Sequence, residues 1–449
     1  MPVHVVTNNG PDPLPAAACG ADLCLRWEGP GRNALRNLAP LTALLAAEPP
    51  PLAADLLDIA TAVYLADIGV LRGRNEDWVR NLDLTIAVRE PSFWREHAGD
   101  LSHLLYVLTR DGISFNFQLA SGSGTAHAAT AIARPFSADC VSLLSGGLDS
   151  LAGAVMLLRT GRRPLLVAHQ SGNPTVRAAQ NDVLAMLERL GGGQFAFAGT
   201  QVSASGRSAS ALPFPAPGAR EPSQRSRSLL YLALAVFAAS TQGLREVYCF
   251  ENGLLTVALP LSSARVGGLS TRSTHPRVIA LANRLCQAAD LGCEILNPFT
   301  YQTKAELIRD ILRPALGPLE IQKTVSCWAA GRRSRQCGGC VACLVRRFAM
   351  LAAGLPDEAY EVDVLRHPAR YAGTEAYTNL VDLLGQCAEF LRRDDLELLA
   401  LWPELLDLQA AAVSLTDVLA MYRRYAAEVQ GVVEAHFPEA AALLHSADR

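Results

Sequence analysis

Residues 141–150 read Val141-Ser142-Leu143-Leu144-Ser145-Gly146-Gly147-Leu148-Asp149-Ser150, and this stretch decides the fold of the chain. Its first four residues are apolar or small and predict a buried strand, and the residues from Leu151 to Arg159 predict a helix. The short turn between them contains two glycines and leaves backbone amides free at the positive end of the helix. Such a turn binds phosphate or pyrophosphate, and two serine hydroxyls can add donors.

Apolar strands alternate with helices after this turn. Strands are predicted near 141–145, 164–169, 194–198, 246–250 and 294–296, and helices near 150–159, 175–190, 226–240, 275–289 and 303–313. This alternation predicts an α/β fold with a doubly wound parallel sheet, whose ligand lies at the C-terminal ends of the strands. Residues 202–226 are rich in Ser, Pro and Gly, and such an insertion is typical of a lid or of a disordered segment.

Four regions follow from these patterns. Residues 1–120 predict an N-terminal α+β domain with no recognisable catalytic constellation, and residues 121–138, which include a Ser-Gly-Ser-Gly-Thr run, predict a linker. Residues 139–355 form the central domain, and residues 356–449 predict a helical C-terminal extension. Within that extension, amphipathic helices are expected at Leu380–Arg392 and Leu415–Phe437.

Composition limits the cellular compartments and the binding partners that we expect for this protein. The 449 residues carry a net charge of −3, which gives no global electrostatic reason to bind nucleic acid. No apolar run reaches the roughly 18–20 residues that a membrane helix needs. The start, Met1-Pro2-Val3-His4, has neither the basic residues nor the apolar stretch of a signal peptide. We therefore expect a cytoplasmic protein that binds neither membranes nor nucleic acid.

Four cysteines form a cluster late in the central domain. Cys327, Cys337, Cys340 and Cys343 are spaced C-x9-C-x2-C-x2-C, and four thiolates at this spacing can close a tetrahedral shell around Zn²⁺. An iron–sulfur cluster is the alternative group that these cysteines could bind. A catalytic thiol pair fits less well, because a four-ligand metal site leaves no free position. The pattern thus predicts a structural zinc site.

Lysine is rare in this chain. Of the 40 Lys and Arg residues only Lys304 and Lys323 are lysines, and both precede the cysteine cluster closely. Arginine replaces a solvent-facing lysine easily, whereas a site that needs a compact ammonium retains it. Lys304 is accordingly a candidate for the functional site.

The Ser-Gly-Gly-Leu-Asp-Ser turn resembles the PP-loop of the ATP pyrophosphatases, which release pyrophosphate and attach AMP to an oxygen of their substrate. Two further segments narrow the resemblance to 7-cyano-7-deazaguanine synthases, the QueC family. They are Thr324-Val325-Ser326-Cys327-Trp328, which opens the cysteine cluster, and residues 298–306, which end in Lys304-Ala305-Glu306. The resemblance covers about residues 139–350 and implies an adenine nucleotide alpha hydrolase-like fold.

The resemblance implies ATP, Mg²⁺ and Zn²⁺ as cofactors and a deazaguanine small molecule as substrate. We expect the loop residues to hold the pyrophosphate, and Asp149 also to help hold Mg²⁺; the loop residues are Ser145, Gly146, Gly147, Leu148, Asp149 and Ser150. The catalytic candidates are Asp149 and the cations that would balance the leaving charge, namely Lys304, Arg227 and Arg272. The substrate-binding candidates are Glu251, Asn252 and His275.

The implied reaction begins when the carboxylate of 7-carboxy-7-deazaguanine attacks the α-phosphorus of ATP. An amine then displaces AMP: ammonia gives the amide and, after a second activation, the nitrile, whereas a protein amino group gives a conjugate. The chain departs from the family at residues 251–276, which lack the acidic Tyr-Pro-Asp-Cys-Arg type motif near the deazaguanine.

Similar extended versions of the family occur in anti-phage defence operons, the Qat and type IV CBASS systems. This resemblance implies a protein partner or acceptor from the same operon, and a homodimer is a further assembly that the sequence leaves open. Two alternative functions remain: a tRNA-thiolating PP-loop enzyme, and a catalytically inactive nucleotide-binding scaffold in a defence complex.

Overall fold

The computed structural model describes residues 2–7, 9, 20–29, 31–73, 78–120, 135–170, 172–204, 212–261, 272–330 and 336–446. Most of the expected linker, and the start of the expected insertion at 205–211, lie outside these ranges. The strands are β1 Val3–Thr7, β2 Leu23–Leu25, β3 Ala34–Asn37, β4 Asn81–Val88, β5 Gly112–Leu119, β6 Cys140–Leu143, β7 Pro164–His169, β8 Ala196–Ala204, β9 Glu246–Tyr248 and β10 Glu294–Leu296.

The helices follow in chain order. In the first half they are α1 Ala39–Thr42, α2 Pro51–Gly69, α3 Pro91–Glu96, α4 Ala98–Thr109, α5 Leu148–Arg159, α6 Pro174–Gly191 and α7 Arg227–Gln242. In the second half they are α8 Gly253–Val257, α9 Pro276–Ala288, α10 Lys304–Glu306, α11 Pro318–Ile321, α12 Val341–Ala352, α13 Glu375–Arg392, α14 Asp395–Leu401, α15 Leu415–His436 and α16 Pro438–Ser446. A π-helix, Leu307–Leu312, continues α10.

The central sheet has the strand order β10-β9-β6-β7-β8-β3 and is parallel from β10 to β8. Helices α5 and α6 pack on one face and α7 on the other, so the doubly wound parallel sheet expected from the alternating pattern is confirmed. The chain leaves β6 towards β7 and β8 and later returns to place β9 on the opposite side of β6. A ligand-binding crevice is expected at this reversal of strand order, beside the C-terminal end of β6.

The N-terminal region forms a second sheet, with the order β2-β1-β4-β5. All of its pairings are parallel, so the expected α+β arrangement, which favours antiparallel neighbours, is corrected to parallel α/β. Strand β3 also comes from the N-terminal region, but it belongs to the central sheet, where it pairs antiparallel with β8 at the edge. Helix α2 packs along α7, and one continuous apolar cluster includes both helices.

The C-terminal region is helical, as expected. Helices α13 and α15 occupy the two predicted amphipathic stretches, and α13, α15 and α16 pack against one another. Their apolar faces share a cluster with α12, which contains the last of the four cysteines, and with α8, which follows β9. Among the described residues, no helix is both long enough and apolar enough to cross a bilayer.

Candidate active site at the end of strand β6

The Ser-Gly-Gly-Leu-Asp-Ser loop joins β6 to α5 and is held together by its own serines. The hydroxyl of Ser150 accepts from the amide of Ser145 at 3.3 Å and donates to the carbonyl of Gly147 at 3.1 Å. The hydroxyl of Ser145 accepts from the amide of Gly147 at 3.3 Å. Within the described part of the chain no side chain caps α5, so the amides of its first turn remain available to an anion.

Two close approaches explain the glycines of the loop. Gly146 has a φ of +86°, and a Cβ there would lie 3.1 Å from both Cγ and the backbone nitrogen of Gln180 on α6. A Cβ on Gly147 would lie 3.3 Å from the carbonyl oxygen of Val325. The amide of Val325 also donates to the carbonyl of Gly146 at 3.1 Å. The segment that leads into the cysteine cluster therefore supports the loop directly.

Three predicted site residues meet next to the loop. The carboxylate of Asp149 accepts from Nζ of Lys304 at 2.6 Å and from Nδ2 of Asn252 at 2.8 Å. All three side chains are buried, and they come from α5, the start of α10 and the residues after β9. A reciprocal capping box between Thr303 and Glu306 fixes the turn that carries Lys304.

Glu251 adds a titratable carboxyl to this cluster. Burial raises its pKa to about 7; a hydrogen bond from the hydroxyl of Thr274 opposes the rise, and the nearby charge of Asp149 adds to it. Lys304 also lowers this pKa through its positive charge. Sequence reasoning did not assign a role to Thr274, because a threonine in a polar loop carries no distinguishing pattern.

A cavity of about 220 Å³ opens beside the loop, between the ends of β6 and β7. It is lined by Leu143, Leu144, Ser145, Val167, Ala168, His169, Val176, Gln180, Arg227, Tyr231, Val325, Ser326 and Cys327. Arg227 is exposed, lies over the ring of Tyr231, and forms no ion pair within the described ranges. The pKa of His169 falls to about 4, mainly because the ring is buried, so the ring is neutral at pH 7. The cavity thus offers apolar walls and one available cation.

Among the described residues, neither Arg272 nor His275 bonds to Asp149, Lys304 or Asn252. Burial, together with the nearby positive charge of Arg110, lowers the pKa of Arg272 to about 10, and the acidic groups near it are Glu404 and Asp407. His275 is the N-cap of α9, and its Nδ1 accepts from the amide of Arg277 at 3.2 Å. Burial lowers the pKa of His275 to about 3. The contacts of His275 account for it as a helix cap.

The four cysteines converge as predicted. Their Sγ atoms all lie within 4.8 Å of one another, and those of Cys337 and Cys343 are 3.9 Å apart. A tetrahedron with Zn–S bonds of about 2.3 Å has sulfur–sulfur edges of about 3.8 Å, so the cluster fits zinc. The amides of Cys337 and Cys340 each donate to a neighbouring cysteine sulfur at 3.4 Å. This site is adjacent to the cavity, because Cys327 contributes to both.

The region that carries these sites is similar to known proteins. The family model described as "Queuosine biosynthesis protein QueC" matches residues 273–354. The 7-cyano-7-deazaguanine synthase of Thiobacillus denitrificans is 30% identical over 248 residues, which cover 52% of this chain and 97% of that protein. This chain belongs to the 7-cyano-7-deazaguanine synthase family.

Two further 7-cyano-7-deazaguanine synthases align with this chain in the same way. The 7-cyano-7-deazaguanine synthase of Synechococcus elongatus is 26% identical over 236 residues, covering 49% of this chain and 94% of that protein. The synthase of Cupriavidus pinatubonensis is 27% identical over 237 residues, covering 48% and 95%. Nearly whole relatives thus align with about half of this chain. Membership of this family supports an ATP-dependent, carboxylate-activating PP-loop enzyme.

Proposed function

We propose that this protein adenylates a carboxylate of the 7-carboxy-7-deazaguanine type and passes the activated acyl group to an amine. One observation carries the proposal: the uncapped start of α5 lies beside both the Asp149–Lys304–Asn252 cluster and the cavity that contains Arg227. Adenylation requires amides that bind an anion, cations that balance the leaving charge and a cavity for the nucleotide, and the site offers each of these.

In the proposed reaction the adenosine of ATP occupies the cavity and its pyrophosphate lies on residues 145–150. A substrate carboxylate oxygen forms a bond to the α-phosphorus, and the bond from that phosphorus to the bridging oxygen breaks. Pyrophosphate leaves with its added negative charge, which the α5 amides, Lys304 and Arg227 stabilise. Mg²⁺ would be held by the ATP phosphates and Asp149, where it would neutralise phosphate charge.

The substrate lies, in this proposal, towards Glu251 and Asn252, at the C-terminal end of β9. An attacking amine must lose a proton when AMP leaves, and a carboxyl with a pKa near 7 can accept it at neutral pH. Ammonia would give the amide, and a second adenylation of the amide oxygen would allow dehydration to the nitrile. The relatives described above are all 7-cyano-7-deazaguanine synthases, which supports this substrate class.

The identity of the amine is a separate proposal. About half of this chain has no counterpart in the aligned relatives, and the N-terminal region and C-terminal helices supply surfaces for a partner. We propose that an amino group of a partner protein from the same operon replaces ammonia, as in a defence system of the Qat or type IV CBASS kind. Pyrophosphate release that requires the partner protein would support this version over ammonia.

Pyrophosphate release tests the proposed function. Purified protein with ATP, Mg²⁺ and 7-carboxy-7-deazaguanine should release pyrophosphate, and Asp149→Asn, which keeps the side-chain shape, should abolish the release. Glu294→Gln is the matched control, because this exposed glutamate on β10 lies at the edge of the sheet. No release with any deazaguanine, although ATP still binds, would favour the inactive scaffold. Release that depends on tRNA instead would favour the thiolating enzyme.

A further inference from the structure

We propose that Asp67, in the N-terminal region, is a positioning residue for the nucleotide site: it fixes the start of α7 and thereby the place of Arg227. The inference rests on the proposed function, in which Arg227 contacts the nucleotide. It assigns the N-terminal region a part in ATP binding, although that region contributes no residue to the loop or to the Asp149 cluster.

Asp67 lies in the last turn of α2, is buried, and holds Ser226 by two bonds. Its Oδ2 accepts from the backbone amide of Ser226 at 2.9 Å and from the hydroxyl of Ser226 at 2.8 Å. Its Oδ1 pairs with the guanidinium of Arg80 at 2.5 Å. Ser226 immediately precedes α7, yet its hydroxyl does not cap that helix as an N-cap serine usually does. The hydroxyl is instead committed to Asp67.

Contacts with the end of α2 continue along residues 212–226, which we call the connecting segment because it leads from the end of the expected insertion to α7. The amide of Glu221 donates to the carbonyl of Ile68 at 3.0 Å. The carboxylate of Glu221 accepts from the amide of Arg72 at 3.0 Å. These contacts and the bonds to Ser226 end one residue before Arg227. The described end of this Ser-, Pro- and Gly-rich insertion is therefore held against the N-terminal region.

The bonds from Asp67 to Ser226 hold α7 at the end that lines the cavity. Helix α7 is buried along most of its length, whereas Arg227, its first residue, is exposed at the cavity. A second contact supports the same link: Tyr64 of α2 meets the ring of His169 edge-on, with centroids 5.7 Å apart, and His169 also lines the cavity. A loosened Ser226 would let the first turn of α7 move, and Arg227 would then lose its fixed position.

The test compares Ser226→Ala with Ser226→Thr, since threonine keeps the hydroxyl. In the pyrophosphate-release assay Ser226→Ala should raise KM for ATP about tenfold with kcat changed less than twofold, and Ser226→Thr should restore much of the loss. The control Asp111→Asn alters the same charge network through Arg72 and Arg80 but leaves Ser226 untouched, so its KM should stay at the wild-type value.

A double-mutant cycle separates positioning from a general structural role. In an Arg227→Ala background Ser226→Ala should add less than a twofold change in KM, because the residue through which it acts is gone. Equal effects in both backgrounds, or a lowered melting temperature with unchanged KM, would overturn the inference. The dissociation constant of a non-hydrolysable ATP analogue provides a second readout. If wild type binds the analogue without releasing pyrophosphate, the proposed function fails while this test still decides; no binding overturns both.

Discussion

Two buried aspartates, Asp111 and Asp149, show how differently the N-terminal region and the central domain use charge. Asp111 is bonded by the guanidinium groups of Arg72 and Arg80 at 2.6–2.8 Å, and all three side chains are buried inside one network. Asp149 meets Lys304 and Asn252 at the Ser145–Ser150 loop, whose first residue lines a cavity. The Asp111 network therefore serves the fold, whereas the Asp149 cluster lies at the loop where a ligand is expected.

The largest expected effect separates these two carboxylates. Asp149→Asn should reduce pyrophosphate release by at least about 100-fold, because its charge acts on the reaction, and should also lower the free energy of unfolding, because it removes the partner of the buried Lys304. Asp111→Asn should lower the free energy of unfolding by about 3 kcal/mol and leave kcat within a few-fold, because it breaks a buried ion pair. Steady-state rates and urea denaturation measure both. If Asp111→Asn were the inactive variant, the comparison would be wrong.

The cysteine cluster should show the next largest effect. Cys340→Ser should reduce bound zinc from about one ion per chain to almost none and lower the melting temperature, because a three-ligand site holds zinc less tightly. Since Val325 donates to Gly146, the variant should also weaken ATP binding. Metal analysis, melting curves and ATP titration check these outcomes. Cys387→Ala, which removes a buried thiol from the C-terminal helical cluster, should keep its zinc; if it did not, the metal assignment would fail.

Arg227 lines the cavity without an ion-pair partner among the described residues, whereas Arg72 is paired with Asp111. Arg227→Ala should raise KM for ATP about tenfold, and Arg227→Lys should recover part of that loss, because the contact supplies one charge-assisted bond to a phosphate. The matched change in the N-terminal region, Arg72→Ala, should reduce stability and leave KM within about threefold. Initial rates measured over a range of ATP concentrations give KM for both variants. A normal KM in Arg227→Ala would remove this arginine from the nucleotide site.

The pH dependence should give the smallest effect. The pKa of both Glu251 and Glu428 is raised from 4.5 to about 7, mainly by burial, so the folded protein favours their protonated forms. Their stabilising contribution is complete below about pH 4.5 and is lost as the pH rises through 7, on the order of 3 kcal/mol for each. Either Glu→Gln change should therefore flatten the loss of stability between pH 5 and 8.

Only Glu251→Gln should alter the reaction as well. If Glu251 accepts the amine proton, the rate of product formation falls below pH 7 in wild type and in Glu428→Gln, but this limb disappears in Glu251→Gln. Melting temperatures and product formation, each measured from pH 5 to 8, separate the two carboxyls. A limb that persists in Glu251→Gln would assign the proton transfer to another group.

Much of the central domain could be predicted from sequence, because its determinants are local. The period of the apolar residues predicted its five strands and the helices α5, α6, α7, α9 and α10, although not α8, α11 or α12, and two glycines predicted the anion-binding turn. The convergence of Asp149, Lys304 and Asn252 was expected only in part, since the two partners are more than 100 positions away from Asp149. The distinctive lysine identified one of them.

The N-terminal region shows what the patterns missed. Strand β3 has four residues and joins the edge of a sheet more than 150 residues further along the chain, which no local period indicates. The bonds from Asp67 to Ser226 are likewise invisible in sequence, because an aspartate on an apolar helix and a serine before a helix are each unremarkable alone. His275 stays a predicted substrate-binding residue, and the structure adds a role that the sequence did not indicate, since its side chain caps α9.

An isotope measurement tests the central claim most directly. 7-Carboxy-7-deazaguanine with both carboxylate oxygens labelled with ¹⁸O is incubated with the protein, ATP, Mg²⁺ and an amine. The mass of the released AMP is then measured by mass spectrometry. Adenylation at the Ser145–Ser150 loop predicts one ¹⁸O atom in each AMP, because the bond from the carboxyl carbon to that oxygen breaks when the amine enters. AMP without label, or ADP and phosphate as products, would contradict the account.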